Sequence, residues 1–308
     1  MNLVLGTAAL GFPYGVANRA GKLSQNQVTE IVKKAWECGI REFDTAQMYG
    51  DSEKFLGQAF RDLGIAEEVR VITKIDPEID PYTYKMIHSI HQSLSKLKIR
   101  KLYGVLLHRE HWLDRWDEGV GENLLNLIKL NCTEKVGISV YQPRYALRAV
   151  KTEGIDIIQL PSNILDRRFE RAGVFDLARE KGKEIYIRNV LLQGLLLMNS
   201  KDSPVRIVKP ELIKVAMLAK DLKLTRRDLA ISYLRAIAPE ANLIFGAETP
   251  EQIEENVKSY HKLYSDPVNK WSDFFSYLAG TGILVFKVRE TFSNVDEKIL
   301  IPKMWKGV

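Results

Sequence analysis

Eight times along this 308-residue chain, a short apolar run hands over to a stretch with helical periodicity. The runs are Leu3 to Thr7, 41–46, Val69 to Ile75, Leu102 to His108, Val136 to Val140, Ile155 to Leu160, Glu184 to Val190 and Leu243 to Gly246. Most are continuously apolar rather than alternating, which means burial on both faces, as in a parallel sheet covered by helices. Helical patterns fill the intervals. One spans 25–38, capped by Ser24 and stopped by Gly39; the next opens at Ser52, and another ends near Leu97. Further patterns cover 121–130, a segment from Pro143, 171–181, 210–221, 226–237 behind Thr225, and Pro250 to Leu263. Eight such units in one chain of this length predict an α/β fold, a (β/α)8 TIM barrel over residues 1–263. No Gly-x-Gly-x-x-Gly follows the first run, which argues against a Rossmann site. Residues 264–308 break the pattern as a C-terminal extension. Within it, 271–278 reads as helix and 283–286 as a strand or second helix; a cover over the site or an oligomer contact are both open.

A net charge of +6 is spread along the chain. Its densest basic run, Lys96 to Lys101, has no interleaved aromatics and reads as a helix C-terminus and solvated turn rather than a nucleic-acid surface. Cys38 and Cys132 sit in no metal-ligand spacing, and His88 and His91 lack partners for one, so no metal is expected. The apolar start is too short for a signal peptide and no window reaches the length of a membrane span. The expectation is a cytoplasmic protein with no membrane or nucleic-acid partner and its oligomeric state open.

Chemistry concentrates at the ends of the second, third and fourth strands, where a barrel places its site. Phe43-Asp44-Thr45-Ala46-Gln47-Met48-Tyr49-Gly50 carries a carboxylate and a phenol five residues apart; Lys74 ends the third strand and His108 the fourth. A carbonyl reduced by hydride needs a proton at its oxygen. A tyrosine is a poor acid at its reference pKa of ~10, and a neighbouring ammonium lowers it. Asp44 would hold Lys74, Lys74 would activate Tyr49, and His108 would orient the carbonyl.

Phe-Asp-Thr-Ala-x-x-Tyr-Gly at 43–50, with Thr73-Lys74 and Leu107-His108 following in order, resembles the aldo-keto reductase family over residues 1–263. The resemblance implies the barrel, the tetrad Asp44, Tyr49, Lys74 and His108, and an extended nicotinamide cofactor. It also implies cofactor contacts: Gly6 and Thr7 at the end of the first strand, Ser139 and Gln159 at the carboxamide, and Leu191, Gln193 and Gly194 at the diphosphate. Gly246, Glu248, Gln252, Glu255 and Asn256 fall in the adenosine segment. Four positions depart from the pattern. Val140 replaces an asparagine. Arg188 stands where an aromatic stacks on the nicotinamide, and its charge would favour the reduced ring over the cationic one. Glu248 and Gln252 stand where basic residues grip the 2′-phosphate of NADP. The resemblance favours NADP(H), and Glu248 keeps NAD(H) open, since a carboxylate suits a ribose 2′-hydroxyl. The expected activity is reduction of an aldehyde or ketone, sugar-derived by likeness to bacterial members, to an alcohol. The alternative is a non-enzymatic cofactor-binding regulatory or partner subunit on the same barrel.

Overall fold

The structure, a computed structural model, describes residues 2–18, 21–82, 84–262 and 271–305; side chains are described in the last segment for 281–302 and 305. Eight parallel strands close into a barrel in sequence order. They are β1 (Leu3–Gly6), β2 (Glu42–Asp44), β3 (Arg70–Lys74), β4 (Leu102–Leu107), β5 (Thr133–Ser139), β6 (Ile157–Pro161), β7 (Glu184–Arg188) and β8 (Asn242–Gly246). β1 pairs with both β2 and β8, which closes the ring.

The helices are α1 (Ala8–Gly11), α2 (Gln25–Glu37), α3 (Ser52–Leu63), α4 (Tyr84–Leu97), α5 (Val120–Lys129), α6 (Pro143–Lys151), α7 (Arg168–Arg171) and α8 (Val174–Glu180). They are followed by α9 (Lys209–Asp221), α10 (Arg226–Ile237), α11 (Pro250–His261), α12 (Trp271–Thr291) and α13 (Glu297–Leu300). Local chemistry sets their starts. Ser24 with Gln27, and Thr225 with Asp228, form reciprocal capping boxes; Thr249 caps α11 with Pro250 in its first turn.

The continuous strands bury two faces, as their composition requires. Val4, Ile72, Tyr103, Leu106, Ile157, Tyr186 and Ile244 fill the barrel interior. A larger cluster, including Leu5, Phe43, Val105, Ile158 and Leu243, packs outward under the helices. Each fully buried aliphatic side chain contributes about 1.5–3 kcal/mol. At the strand starts, Tyr103 donates to Glu184 (2.7 Å), Lys135 to Tyr103 (2.9 Å), and Arg70 covers the Tyr103 ring at 3.7 Å. This charged plug closes that end and leaves the opposite end for the site.

Four local readings change. The loop expected after β1 begins with the short α1. β5 starts at Thr133, three residues before the apolar run, because Leu102 and Gly104 of β4 pair with Thr133 and Lys135. The helix expected at 171–181 is two, broken at Gly173, whose φ of 70° lies in the left-handed region. The strand alternative at 283–286 is overturned, since 271–291 form one helix. The expected helix end at Leu263 and the boundary at 263/264 fall outside the described residues.

α12 packs against α9 and α10, burying Leu284, Val288 and Phe292. Charged pins hold it: Glu170 accepts from Arg167, Tyr233 and Arg289, and Arg167 also donates to the Arg289 carbonyl. Among the described residues, no helix is long and apolar enough to cross a membrane.

Candidate active site

Asp44 and Lys74 end their strands, and both are almost fully buried. The Lys74 ammonium donates to both Asp44 oxygens, at 2.7 and 2.8 Å, and to the Thr45 carbonyl at 2.8 Å. Gln159, at the end of β6, donates to Asp44 Oδ1 at 2.7 Å, and Ser139 donates to Gln159 Oε1 at 3.5 Å. Tyr49 stands over this base, with Lys74 Nζ 5.0 Å from its ring centre. The His108 ring meets it edge-on at 6.3 Å. The four tetrad residues, read from three successive strand ends, therefore form one group.

The loop that carries Tyr49 is tightly fixed. Gln47 accepts from the Asp76 N–H at 2.7 Å and donates to Ser93 at 3.0 Å. Ser52 donates to Thr7 Oγ1 at 2.7 Å, and Thr7 donates to the Asp44 carbonyl at 2.9 Å. A methyl group at Gly11 would stand 1.8 Å from the Tyr49 carbonyl oxygen, so only glycine lets α1 approach this close. Gly50 takes the left-handed turn beside it, at φ 55°.

Electrostatics depart from the simple expectation. Burial, reinforced by the Asp44 charge, holds the Tyr49 phenol well above its ordinary value, and Arg188 opposes this only in part. Burial also lowers Lys74, against the opposing pull of Asp44. The expected lowering of Tyr49 by Lys74 is thus not the state of the free protein: burial and the Asp44 charge raise the phenol instead. Tyr49 rests as a neutral phenol, the form that carries a proton.

A cleft of about 370 Å³ opens above Asp44 and Tyr49. Its wall runs from Gly6 and Thr7 past Arg188, Leu191, Gln193 and Gly194 to Gly246, Glu248, Gln252 and Asn256. Twelve of the seventeen residues singled out from the sequence line it. Lys74, Ser139 and Gln159 stand behind Asp44, while His108 and Glu255 are reached through Tyr49 and Arg227. Arg188 donates to the Val140 carbonyl at 3.2 Å and lies over the Tyr141 ring at 4.1 Å. Asn189, Leu192, Gln193 and Gly194 all have left-handed φ, a run of the kind that turns backbone N–H groups toward an anion. Glu248 donates its N–H to Gln252 Oε1 at 2.8 Å, which ties the two adenosine-segment residues together.

The sequence reading missed Arg227, which lines the same end of the cleft from α10. Its only signal was a second arginine after the Thr225 cap, indistinguishable from a surface charge. Arg227 Nε and Asn256 Oδ1 are buried without a partner among the described residues. Unfilled donors and acceptors along an elongated cleft fit a ligand with phosphate and amide groups, as a nicotinamide dinucleotide has.

The aldo/keto reductase family model matches residues 2–274. The chain belongs to the aldo-keto reductase family. It is 26% identical over 299 residues to an NADH-specific methylglyoxal reductase of Escherichia coli K12, covering 85% of this chain and 90% of the relative. It is 24% identical over 272 residues to L-glyceraldehyde 3-phosphate reductase of the same strain, covering 76% and 78%. Among solved structures, a Bacillus halodurans aldo-keto reductase in its holo form superposes with a TM-score of 0.71 at 20% identity, covering 97% and 95%. As an aldo-keto reductase, the chain is an oxidoreductase for carbonyl reduction with a nicotinamide cofactor.

Proposed function

We propose that this aldo-keto reductase converts a short, polar, sugar-derived aldehyde or ketone to its alcohol in the cytoplasm, using NADP(H). The observation that carries the reading is the assembly of Tyr49 and His108 over the buried Lys74–Asp44 pair at the cleft floor. Relatives named for methylglyoxal and L-glyceraldehyde 3-phosphate support a small carbonyl substrate. Two unpaired cysteines support a reducing compartment.

Gly6, Thr7, Arg188, Leu191, Gln193, Gly194, Gly246, Gln252 and Asn256 would hold the dinucleotide, which when bound supplies the hydride. Tyr49 donates its proton to the carbonyl oxygen as negative charge develops there. Lys74, fixed by Asp44, stabilises the phenolate that remains. His108 orients the carbonyl by a hydrogen bond, and Gln159 keeps Asp44 in place. The raised Tyr49 pKa keeps the acid loaded between turnovers, and the developing alkoxide takes the proton readily because it is the stronger base.

Tyr49→Phe tests the assignment. Turnover falls by at least about 100-fold, the lower end of general-acid contributions. Cofactor affinity, followed by nicotinamide fluorescence, stays within twofold. Retained turnover removes Tyr49 from the acid role.

A further inference from the structure

The proposed NADP(H) preference lacks a local explanation. The adenosine segment offers no cation at 248 or 252, and Glu248 places a carboxylate there. A phosphate dianion beside that carboxylate needs a compensating positive charge. The fold brings one from a different part of the chain.

Arg227 is the second residue of α10, directly after an arginine with another task. Arg226 is spent on the segment between β7 and α9, donating to the Leu197 and Met198 carbonyls and to Asn199 Oδ1. Arg227 instead turns into the cleft beside Glu248, Gln252 and Asn256. Its side chain is only 19% exposed, and one Nη pairs with Glu255 at 2.7 Å. Its Nε has no acceptor among the described residues. Glu255 is itself half exposed, so the pair is a weak, water-screened hold that leaves the guanidinium able to turn to a second anion. A guanidinium presents a planar fork that matches phosphate oxygens. The diphosphate has its own candidate, the left-handed run at 189–194, which leaves Arg227 for the adenosine end.

We infer that Arg227 receives the 2′-phosphate of NADP(H), doing from α10 what the adenosine segment lacks the residues to do. This rests on the NADP(H) reading above.

The test titrates the full-length protein with NADPH and with NADH by fluorescence, for the natural chain, Arg227→Gln and Arg227→Lys, at low and high salt. The natural chain binds NADPH more tightly. Arg227→Gln weakens NADPH by roughly ten- to hundredfold, as expected for loss of a charge-assisted hydrogen bond. NADH affinity changes less than about twofold, which also certifies that the cleft is intact. Arg227→Lys falls between, and the salt sensitivity of NADPH binding shrinks in Arg227→Gln. Equal loss for both dinucleotides assigns Arg227 to a part they share and overturns the inference, as does no loss for either; the NADP(H) reading survives both. A natural chain that prefers NADH overturns that reading itself, and the Arg227 role with it.

Discussion

Lys74→Met isolates the buried ion pair on which the proposed chemistry rests. Lys74 is 1% exposed and makes three donations, two to Asp44 and one to the Thr45 carbonyl. Methionine is unbranched and nearly as long but donates nothing. Among the described residues, Asp44, 4% exposed, would keep only the Gln159 hydrogen bond at 2.7 Å. Removing one partner of a buried pair costs about 3–5 kcal/mol, because the other charge is left uncompensated. At about 2.1 cal/mol/K per residue, a chain of 308 residues has an unfolding entropy near 650 cal/mol/K, so the melting midpoint falls by roughly 5–8 °C. Asp44→Asn alone strands the ammonium and costs a similar amount. The double variant buries no charge and should recover at least about 2 kcal/mol of the summed single losses. Urea unfolding of all four proteins measures the cycle. Additive single effects, or a Lys74→Met loss under about 1 kcal/mol, would refute the claim that the two charges hold each other in place.

Two further outcomes follow from other sites. Arg188→Tyr should tighten NADP+ relative to NADPH, because a neutral ring replaces a cation beside the oxidised nicotinamide; an unchanged ratio of the two dissociation constants disposes of the idea. Glu170 anchors α12, and although burial pushes its carboxyl up, hydrogen bonds from Tyr233, Arg167 and Arg289 outweigh that and hold it below its ordinary value. A lowered acid stabilises the fold fully above its unfolded value of about 4.3 and loses that contribution as pH falls through the lower folded value. Glu170→Gln should therefore cost about 2–3 kcal/mol at neutral pH, the half-exposed Arg289 counting for little, with the gap closing below about pH 4. A gap in melting midpoint that stays constant from pH 3 to 7 would rule this out.

The barrel was legible because its signal is local and repeated. Each strand announces itself by a run such as Val-Leu-Leu, buried whatever its neighbours, and most of the longer helices by an apolar stripe, some with a cap. The grouping of the four candidate side chains was legible for the same reason: Asp44 and Lys74 end strands, His108 directly follows one, and a closed parallel barrel gathers strand ends on one rim. The extension was legible only in part: 271–278 read as helix and lies in α12, but an apolar run such as Ile283-Leu284-Val285-Phe286 suits strand or helix, and only packing on α9 and α10 decides.

Charge and acidity were decided by the tertiary structure alone. In sequence, Lys74 is a cation near a tyrosine, and the expected effect is to lower Tyr49; in the fold, the loss of water around the phenol dominates and raises it. Gln159 reads as a ligand contact, yet it donates to Asp44, 115 residues away. The adenosine segment reads as lacking a cation, yet Arg227 reaches it because α10 leads into β8 and packs beside α11. Periodicity and motif are properties of neighbouring residues, so the sequence carries them. Desolvation and charge balance are sums over everything that packs around a point, and they exist only once the barrel has closed.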